Sequence, residues 1–308
     1  MQNHLKPTDS EWNILKLLKW TTSYFKTHDI DSPRATAEIL LGHALKKKRV
    51  DLYVRYDQPL SERELSFYKS LIKRRVNREP VAYIVGEREF WSMAISVTRD
   101  VLIPRPETEC LVEAVLSLLP GESGKGPDKK PKRILELGTG SGAVILALAR
   151  HRPHHFFFAS DRSPKAIALA KQNAKRHNLG EKIRFFAGDW FGPVDRTGRP
   201  FDIILSNPPY IRTGDVDGLQ PEICRYEPRA ALDGDEDGFG CLKRIIGEAP
   251  LYLAKKGSLL LEIGHDQEGG VRGMIDDTGS YKDAEILKDY SGYDRVVRMK
   301  KKVVADKV

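Results

Sequence analysis

Cysteine is scarce in this chain: Cys110, Cys224 and Cys241 are the three among 308 residues, and no pair has C-x-x-C spacing. That excludes a disulfide framework and a thiolate zinc site, and leaves free, mostly buried thiols as the expectation. Long apolar runs are missing as well. None approaches the roughly 18 residues of a membrane span, and MQNHLKPTDSEW lacks the apolar core of a signal peptide, so a cytoplasmic protein without membrane contact is expected. Acidic residues are fewer than basic ones, 43 against 51, giving a formal charge of +8 and a pI near 9.2. Such an excess suits nucleic acid, a ribonucleoprotein or an acidic protein surface. Much of it sits in Lys46-Lys47-Lys48-Arg49, Lys129-Lys130-Pro131-Lys132-Arg133 and Lys300-Lys301-Lys302, which read as solvated loops and ends. Lys73-Arg74-Arg75 with Arg78 reads as a solvated helix face. His151-x-x-His154-His155 has no carboxylate or thiol at ligand spacing and reads as solvated histidines, so no metal is expected.

What the first eighty residues do have is helical periodicity with marked starts. Thr8-x-x-Glu11 and Ser61-x-x-Glu64 match the capping box, in which hydroxyl and carboxylate satisfy exposed backbone donors. Ser32-Pro33 places an N-cap before a first-turn proline. Ile14, Leu15, Leu17 and Leu18, then Ile39, Leu40, Leu41 and Leu45, then Leu65, Tyr68, Leu71, Ile72 and Val76 follow at helical spacing, predicting a small bundle. From Phe90 to Ile103 the pattern changes to WSMAISV and VLIP around Thr98-Arg99-Asp100, a predicted hairpin. A helix from Glu107 to about Leu119 and an exposed GESGKGPDKKPK loop come next.

Strand and helix then alternate. Strands are predicted at Arg133–Leu137, Phe156–Ala159, Ile183–Ala187, Phe201–Ser206 and Ser258–Ile263. A helix Ala143–Arg150 separates the first two. Ser163 as N-cap, Pro164 in the first turn and Gly180 as the stop bound another. This order implies parallel βαβ crossovers and a doubly wound α/β sheet.

The chemistry gathers at strand ends. Gly138-Thr139-Gly140-Ser141-Gly142 follows the first strand and opens a helix, where glycines admit a ligand close to backbone N–H groups. Asp161 ends the second strand, where a carboxylate can accept from two ribose hydroxyls. G-x-G-x-G differs from the pyrophosphate fingerprint G-x-G-x-x-G, which favours S-adenosylmethionine over a dinucleotide. Asp189 ends the third strand and can accept from an adenine amino group; Trp190 or Phe191 can cover the ring or serve as core. Asn207-Pro208-Pro209-Tyr210 ends the fourth. A planar nitrogen delocalises its lone pair, so methylating it requires rigid holding. The Asn207 carboxamide oxygen and the Pro208 carbonyl can accept its two N–H donors while an aromatic ring such as Tyr210 covers the group, and the prolines stiffen the backbone and remove competing donors. A nitrogen of a base or of an amide would satisfy this clamp equally.

With ELGTGSG and NPPY, the chain resembles a class I S-adenosylmethionine-dependent methyltransferase. Residues 80–90 (PVAYIVGEREF), 101–109 (VLIPRPETE), 226–232 (YEPRAAL) and 289–297 (DYSGYDRVV) closely resemble the HemK/PrmC family of release-factor glutamine methyltransferases, and the resemblance covers nearly the whole chain. It implies a Rossmann-like, mostly parallel seven-stranded sheet with a small N-terminal all-helical domain: a substrate-recognition domain at 1–86, a β-hairpin connector at 87–105 and a methyltransferase domain at 106–308. It also implies transfer of a methyl group to N5 of the glutamine in the Gly-Gly-Gln motif of class I peptide chain release factors, with S-adenosylhomocysteine as product. Gly138, Thr139, Gly140, Ser141, Gly142, Asp161, Asp189, Trp190 and Asn207 would then meet the cofactor, and Asn207, Pro208, Pro209 and Tyr210 the substrate, with Asn207, Pro208 and Tyr210 catalytic. A monomer, contact with the ribosome and no direct DNA binding complete the expectation. The competing enzymatic reading is N6-adenine or N4-cytosine methylation of nucleic acid; a nucleotide-binding translation adaptor without transfer is the non-enzymatic one. Gly234-Asp235-Glu236-Asp237-Gly238 departs from the family's paired glycines and leaves that loop's conformation open.

Overall fold

The computed structural model describes residues 12–119 and 130–303. The Thr8-x-x-Glu11 capping pattern and most of the Gly/Lys/Pro segment lie outside the described residues. The chain divides into two compact units, Met1–Gly86 with Pro221–Tyr226, and Glu87–Gln220 with Glu227–Val308.

The first unit is helical, with helices Ile14–Lys26, Pro33–Leu45, Arg49–Val54, Glu62–Val76 and Val81–Val85. The Ser61 box forms as expected: Ser61 N donates to Glu64 Oε2 at 2.8 Å and Glu64 N to Ser61 Oγ at 3.3 Å. Ser32 does not cap. Its φ of 47° puts it in the left-handed region with no side-chain bond to the helix, although Pro33 does occupy the first turn. Ile14, Leu17, Leu18, Leu40, Leu41, Leu65, Tyr68, Leu71 and Ile72 are buried as the periodicity requires. Ile39 is 47% exposed, because Thr36, Ala37, Leu40 and Leu41 already fill the inward face. The basic run is only partly a solvated face: Lys73 is exposed and the 42% exposed Arg74 pairs with Glu79 at 2.8 Å, but the buried Arg75 and the half-buried Arg78 both pair with Glu222, at 2.8 and 3.2 Å.

The second unit begins with a hairpin, β1 (Glu87–Phe90) and β2 (Met93–Ser96), paired Phe90 to Met93. The turn is Trp91-Ser92, both at positive φ, 51° and 56°, the geometry that matches strand twist in a two-residue loop. Residues 101–104 form no strand; the expected hairpin was placed too late because apolar runs hide a turn made without glycine. The main sheet comprises β3 (Arg133–Leu137), β4 (Phe156–Asp161), β5 (Ile183–Ala187), β6 (Phe201–Ser206), β7 (Leu253–Glu262), β8 (Tyr281–Lys288) and β9 (Asp294–Lys301), ordered β5-β4-β3-β6-β7-β9-β8. Pairing is parallel from β5 to β7 and antiparallel across β9.

Side chains alternate across this sheet. Ile134, Ile203 and Leu205 pack with helices Glu109–Leu118 and Ala143–His151 on one face; Leu135, Leu137 and Ile204 pack with Gly240–Glu248 and Glu268–Thr278 on the other. Ser163 caps Pro164–Arg176 through Ala166 N at 3.2 Å. Asn178 at φ 59°, rather than Gly180, makes the left-handed exit of that helix. Cys110 is buried, while Cys224 and Cys241 are half-buried. His155 is 4% exposed instead of solvated, and its Nδ1 accepts from Lys132 N at 3.1 Å; burial first, then neighbouring positive charge, pushes its pKa down to about 4.

In the helical unit the Glu38 carboxylate is 1% exposed and accepts from Arg34, at 2.5 Å, and from Arg49 and Tyr53. Burial pushes its pKa up, but the bonds from Tyr53, Arg34 and Arg49 outweigh burial and hold it below the usual carboxylate range. Its stabilisation is therefore present above the unfolded carboxyl pKa and lost as pH falls through the lower folded value. Glu38→Ala should cost about 1–3 kcal/mol in chemical denaturation at neutral pH, with a smaller difference in acid.

Candidate active site

Register brings the strand ends together. Leu137 pairs with Ser206 and with Ser160, and Asp161 pairs with Ala187, so Gly138, Asp161, Gly188 and Asn207 share one edge. The chain winds outward from β3 in one direction and returns at β6 for the other, making β3/β6 the switch point where open α/β sheets bind ligands.

A cavity of about 1100 Å³ opens there, lined by Gly138, Thr139, Gly140, Ser141, Asp161, Asp189, Trp190, Asn207 and Pro209 among others. Gly142, Pro208 and Tyr210 do not line it. Gly142 has φ 84°, and a Cβ there would lie 3.1 Å from Ala170 Cβ, so it serves close packing of the loop on the helix Pro164–Arg176. The loop is held by Asp161, whose Oδ2 accepts from Gly140 N and whose Oδ1 accepts from Ser163 N, each at 2.9 Å. Behind it, Thr139 Oγ1 donates to the buried Glu136 at 2.5 Å; burial pushes the Glu136 carboxyl up to about 8 despite that bond. Asp189 Oδ2 pairs with Arg244 at 2.6 Å. Trp190, at φ 46°, lines the cavity, whereas Phe191 is 1% exposed and stacks on Tyr252 at 4.5 Å as core.

The Asn207 carboxamide has a fixed neighbour: Nδ2 donates to Thr108 Oγ1 at 3.1 Å. Among the described residues neither Asn207 Oδ1 nor the Pro208 carbonyl accepts a hydrogen bond. Pro208 is buried, and the Tyr210 phenol donates to Glu262 Oε1 at 3.3 Å. Burial, then the Glu262 charge, raises the Tyr210 pKa. The loop's backbone is tied down by Gln267 Nε2, which donates to Tyr210 O at 3.1 Å, and by Ile211 N to Leu232 O at 3.0 Å. Gly234 presses on it: a Cβ there would lie 2.8 Å from Tyr210 Cα and 2.9 Å from Pro209 O. Next to it Asp235 adopts φ 73° in the stretch that lacks the family's paired glycines, a conformation Asp tolerates better than most residues.

Family models for the PrmC N-terminal domain and for a methyltransferase domain match residues 16–86 and 128–286. A release factor glutamine methyltransferase of Geobacter sulfurreducens is 42% identical over 286 residues, covering 93% of this chain and 96% of that protein. The chain belongs to the release factor glutamine methyltransferase family. A Salmonella typhimurium protein of the same name is 43% identical over 268 residues, covering 87% of this chain and 92% of its own length. The hMettl16 catalytic domain, 15% identical with a TM-score of 0.57 over 75% of this chain and 84% of its own, shares the fold.

In this member of the release factor glutamine methyltransferase family, sequence reasoning gave no part to Thr108, Gly234 or Glu262. Thr108 sits inside IPRPETE, brought there by Glu227, which accepts from Ile103 N at 3.0 Å and Arg105 at 2.5 Å. Glu262 had a legible signal, a lone carboxylate ending the apolar strand β7. Gly234→Ala should displace backbone that cannot yield, costing roughly 1–3 kcal/mol; an unchanged melting temperature would contradict the packing.

Proposed function

We propose that this chain transfers a methyl group from S-adenosylmethionine to the glutamine N5 of the Gly-Gly-Gln motif in class I peptide chain release factors. The observation that carries the reading is the Asn207 carboxamide at the β3/β6 switch point, with its N–H end occupied by Thr108 and its oxygen without a partner among the described residues. Family membership favours an amide over an adenine or cytosine nitrogen as the group it receives.

The residues present fit a sulfonium nucleoside. The cavity exceeds the size of a typical small-ligand site, and Trp190 offers a ring face at its wall. Asp161 spends one lone pair of each oxygen on the loop and retains others, since a carboxylate offers about four acceptor sites. Gly138 to Ser141, Asp161, Asp189 and Trp190 would hold the cofactor, with Gly142 shaping the loop. When bound, S-adenosylmethionine supplies an electrophilic methyl group on a sulfonium.

Asn207 Oδ1 and the Pro208 carbonyl accept the two N–H bonds of the glutamine amide and hold its plane. Those bonds strengthen as positive charge grows on nitrogen. Positioning of this kind can supply roughly 7–11 kcal/mol of a barrier. Pro209 stiffens the turn, and Tyr210 secures it through Glu262. The surplus proton leaves the alkylated nitrogen for water or a neighbouring carbonyl; no covalent enzyme intermediate is needed. Residues 1–86 recognise the release factor, 87–105 connect and 106–308 carry the reaction. On this reading the enzyme works in the cytoplasm as a monomer, on free or ribosome-associated factor and without direct DNA binding. No helix among the described residues is long and apolar enough to cross a membrane.

Asn207→Ala should lower methylation of a release factor by on the order of 10²-fold or more, with a much smaller change in calorimetric affinity for S-adenosylmethionine. Near wild-type turnover would sink the role of Asn207. Asp161→Ala should weaken cofactor binding; an unchanged affinity would refute its assignment.

A further inference from the structure

We propose that Thr108 and Glu262 are positioning residues that decide which end of the Asn207 carboxamide faces the reacting nitrogen. This rests on the reading of Asn207 as the acceptor for the substrate amide.

A carboxamide has nearly the same shape in either orientation, but only one presents an acceptor. Turned the other way, Asn207 would set its own N–H donors against those of the glutamine. Nothing in the Asn-Pro-Pro-Tyr turn distinguishes the two. Thr108 does, provided its single hydroxyl proton is committed elsewhere, because it then offers Asn207 only lone pairs. The observed bond has that polarity, Asn207 Nδ2 to Thr108 Oγ1 at 3.1 Å. Glu262 is the group to which that proton can be committed. It is 1% exposed, ends β7, and accepts from the Tyr210 phenol at 3.3 Å through Oε1, while Oε2 has no hydrogen-bond partner among the described residues. The Thr108 hydroxyl is near enough to draw the Glu262 carboxyl downward, though Oε2 remains formally unpaired. A buried carboxylate oxygen with no donor is costly, so the charge itself orients Thr108, and Thr108 orients Asn207.

The carboxyl must be ionised to act this way. Burial pushes Glu262 up, opposed by Thr108, the Arg295 guanidinium and Tyr210, with Glu107 adding to the rise; the balance is about 7. Arg295 is itself paired with Asp289 at 3.1 Å, and the buried Cys110 thiol is the other titratable group that feels Glu262. Below that value a protonated Glu262 can donate to Thr108, freeing the threonine proton to seek Asn207 Oδ1 and turn the carboxamide over. The wild-type turnover number should therefore fall as pH drops through about 7.

The test is steady-state methylation of a release factor by the intact enzyme carrying Thr108→Val, Thr108→Ser, Asn207→Ala, or Thr108→Val with Asn207→Ala. Valine keeps the volume and removes the hydroxyl. We expect Thr108→Val to lower kcat on the order of 10²-fold with KM and cofactor affinity nearly kept, Thr108→Ser to recover most of the loss, and the double variant to be no slower than Asn207→Ala. Glu262→Gln should abolish the acid limb of kcat. A Thr108→Val enzyme within twofold of wild type, while Asn207→Ala is inactive, would overturn this inference alone; an active Asn207→Ala would overturn the functional reading beneath it. Should Thr108→Val or Glu262→Gln fail to fold, the wild-type profile and Thr108→Ser decide. A flat wild-type kcat between about pH 6 and about pH 8 would contradict Glu262 as the ionising group, and a Thr108→Ser enzyme as slow as Asn207→Ala would contradict the hydroxyl's role.

Discussion

The parallel pairing of β3 with β6, Leu137 against Ser206, is the constraint on which the site depends. Each strand ends one residue before a turn that a regular sheet cannot continue, Gly138 on one side and Asn207 on the other. The chain runs outward from β3 to β4 and β5 and resumes at β6 on the other side, so the connections that follow β3 and β6 diverge at those turns. A cavity follows from topology before any particular side chain is considered. The side chains then divide the work: Asp161 ties the glycine loop, and Thr108 and Gln267 tie the Asn-Pro-Pro-Tyr turn.

Burial sets the electrostatic character of this edge. Glu136 and Glu262 both end up fully enclosed, and their carboxyls rise to about 8 and about 7. The two stand behind the two turns, one bonded to Thr139 and the other to Tyr210. Glu262 is therefore a support for the groups that face the cavity, whereas Glu136 holds Thr139 from within the cavity wall. Asp161 and Asp189 lie in the cavity wall, where their remaining lone pairs can meet a ligand.

β3 to β6 were legible because each is short, largely apolar and closed by Gly, Asp or Asn, and β3, β5 and β6 fall where the pattern predicts; β7 begins five residues earlier than predicted, and the charge-rich β8 and β9 gave no strand pattern. Motif spacing likewise located the cavity wall, since strand ends in a parallel sheet converge whatever lies between them. What escaped had physical causes. The hairpin turns on Trp91-Ser92, residues with no turn signature, which tertiary packing forces into the left-handed region. The Arg75 and Arg78 charges face Glu222, 147 and 144 residues away, and no local pattern reveals such a partner. Thr108 and Asn207 meet across 99 residues for the same reason. Resemblance to a family carried the identity of the nitrogen, which the four-residue clamp leaves open between base and amide.

The most direct measurement is mass spectrometry of the Gly-Gly-Gln peptide from a class I release factor after incubation with this enzyme and S-adenosylmethionine. One added methyl group on the glutamine side chain, absent without enzyme, is the expected result. An unmodified glutamine, with the methyl group recovered on nucleic acid or not transferred at all, would contradict the assignment.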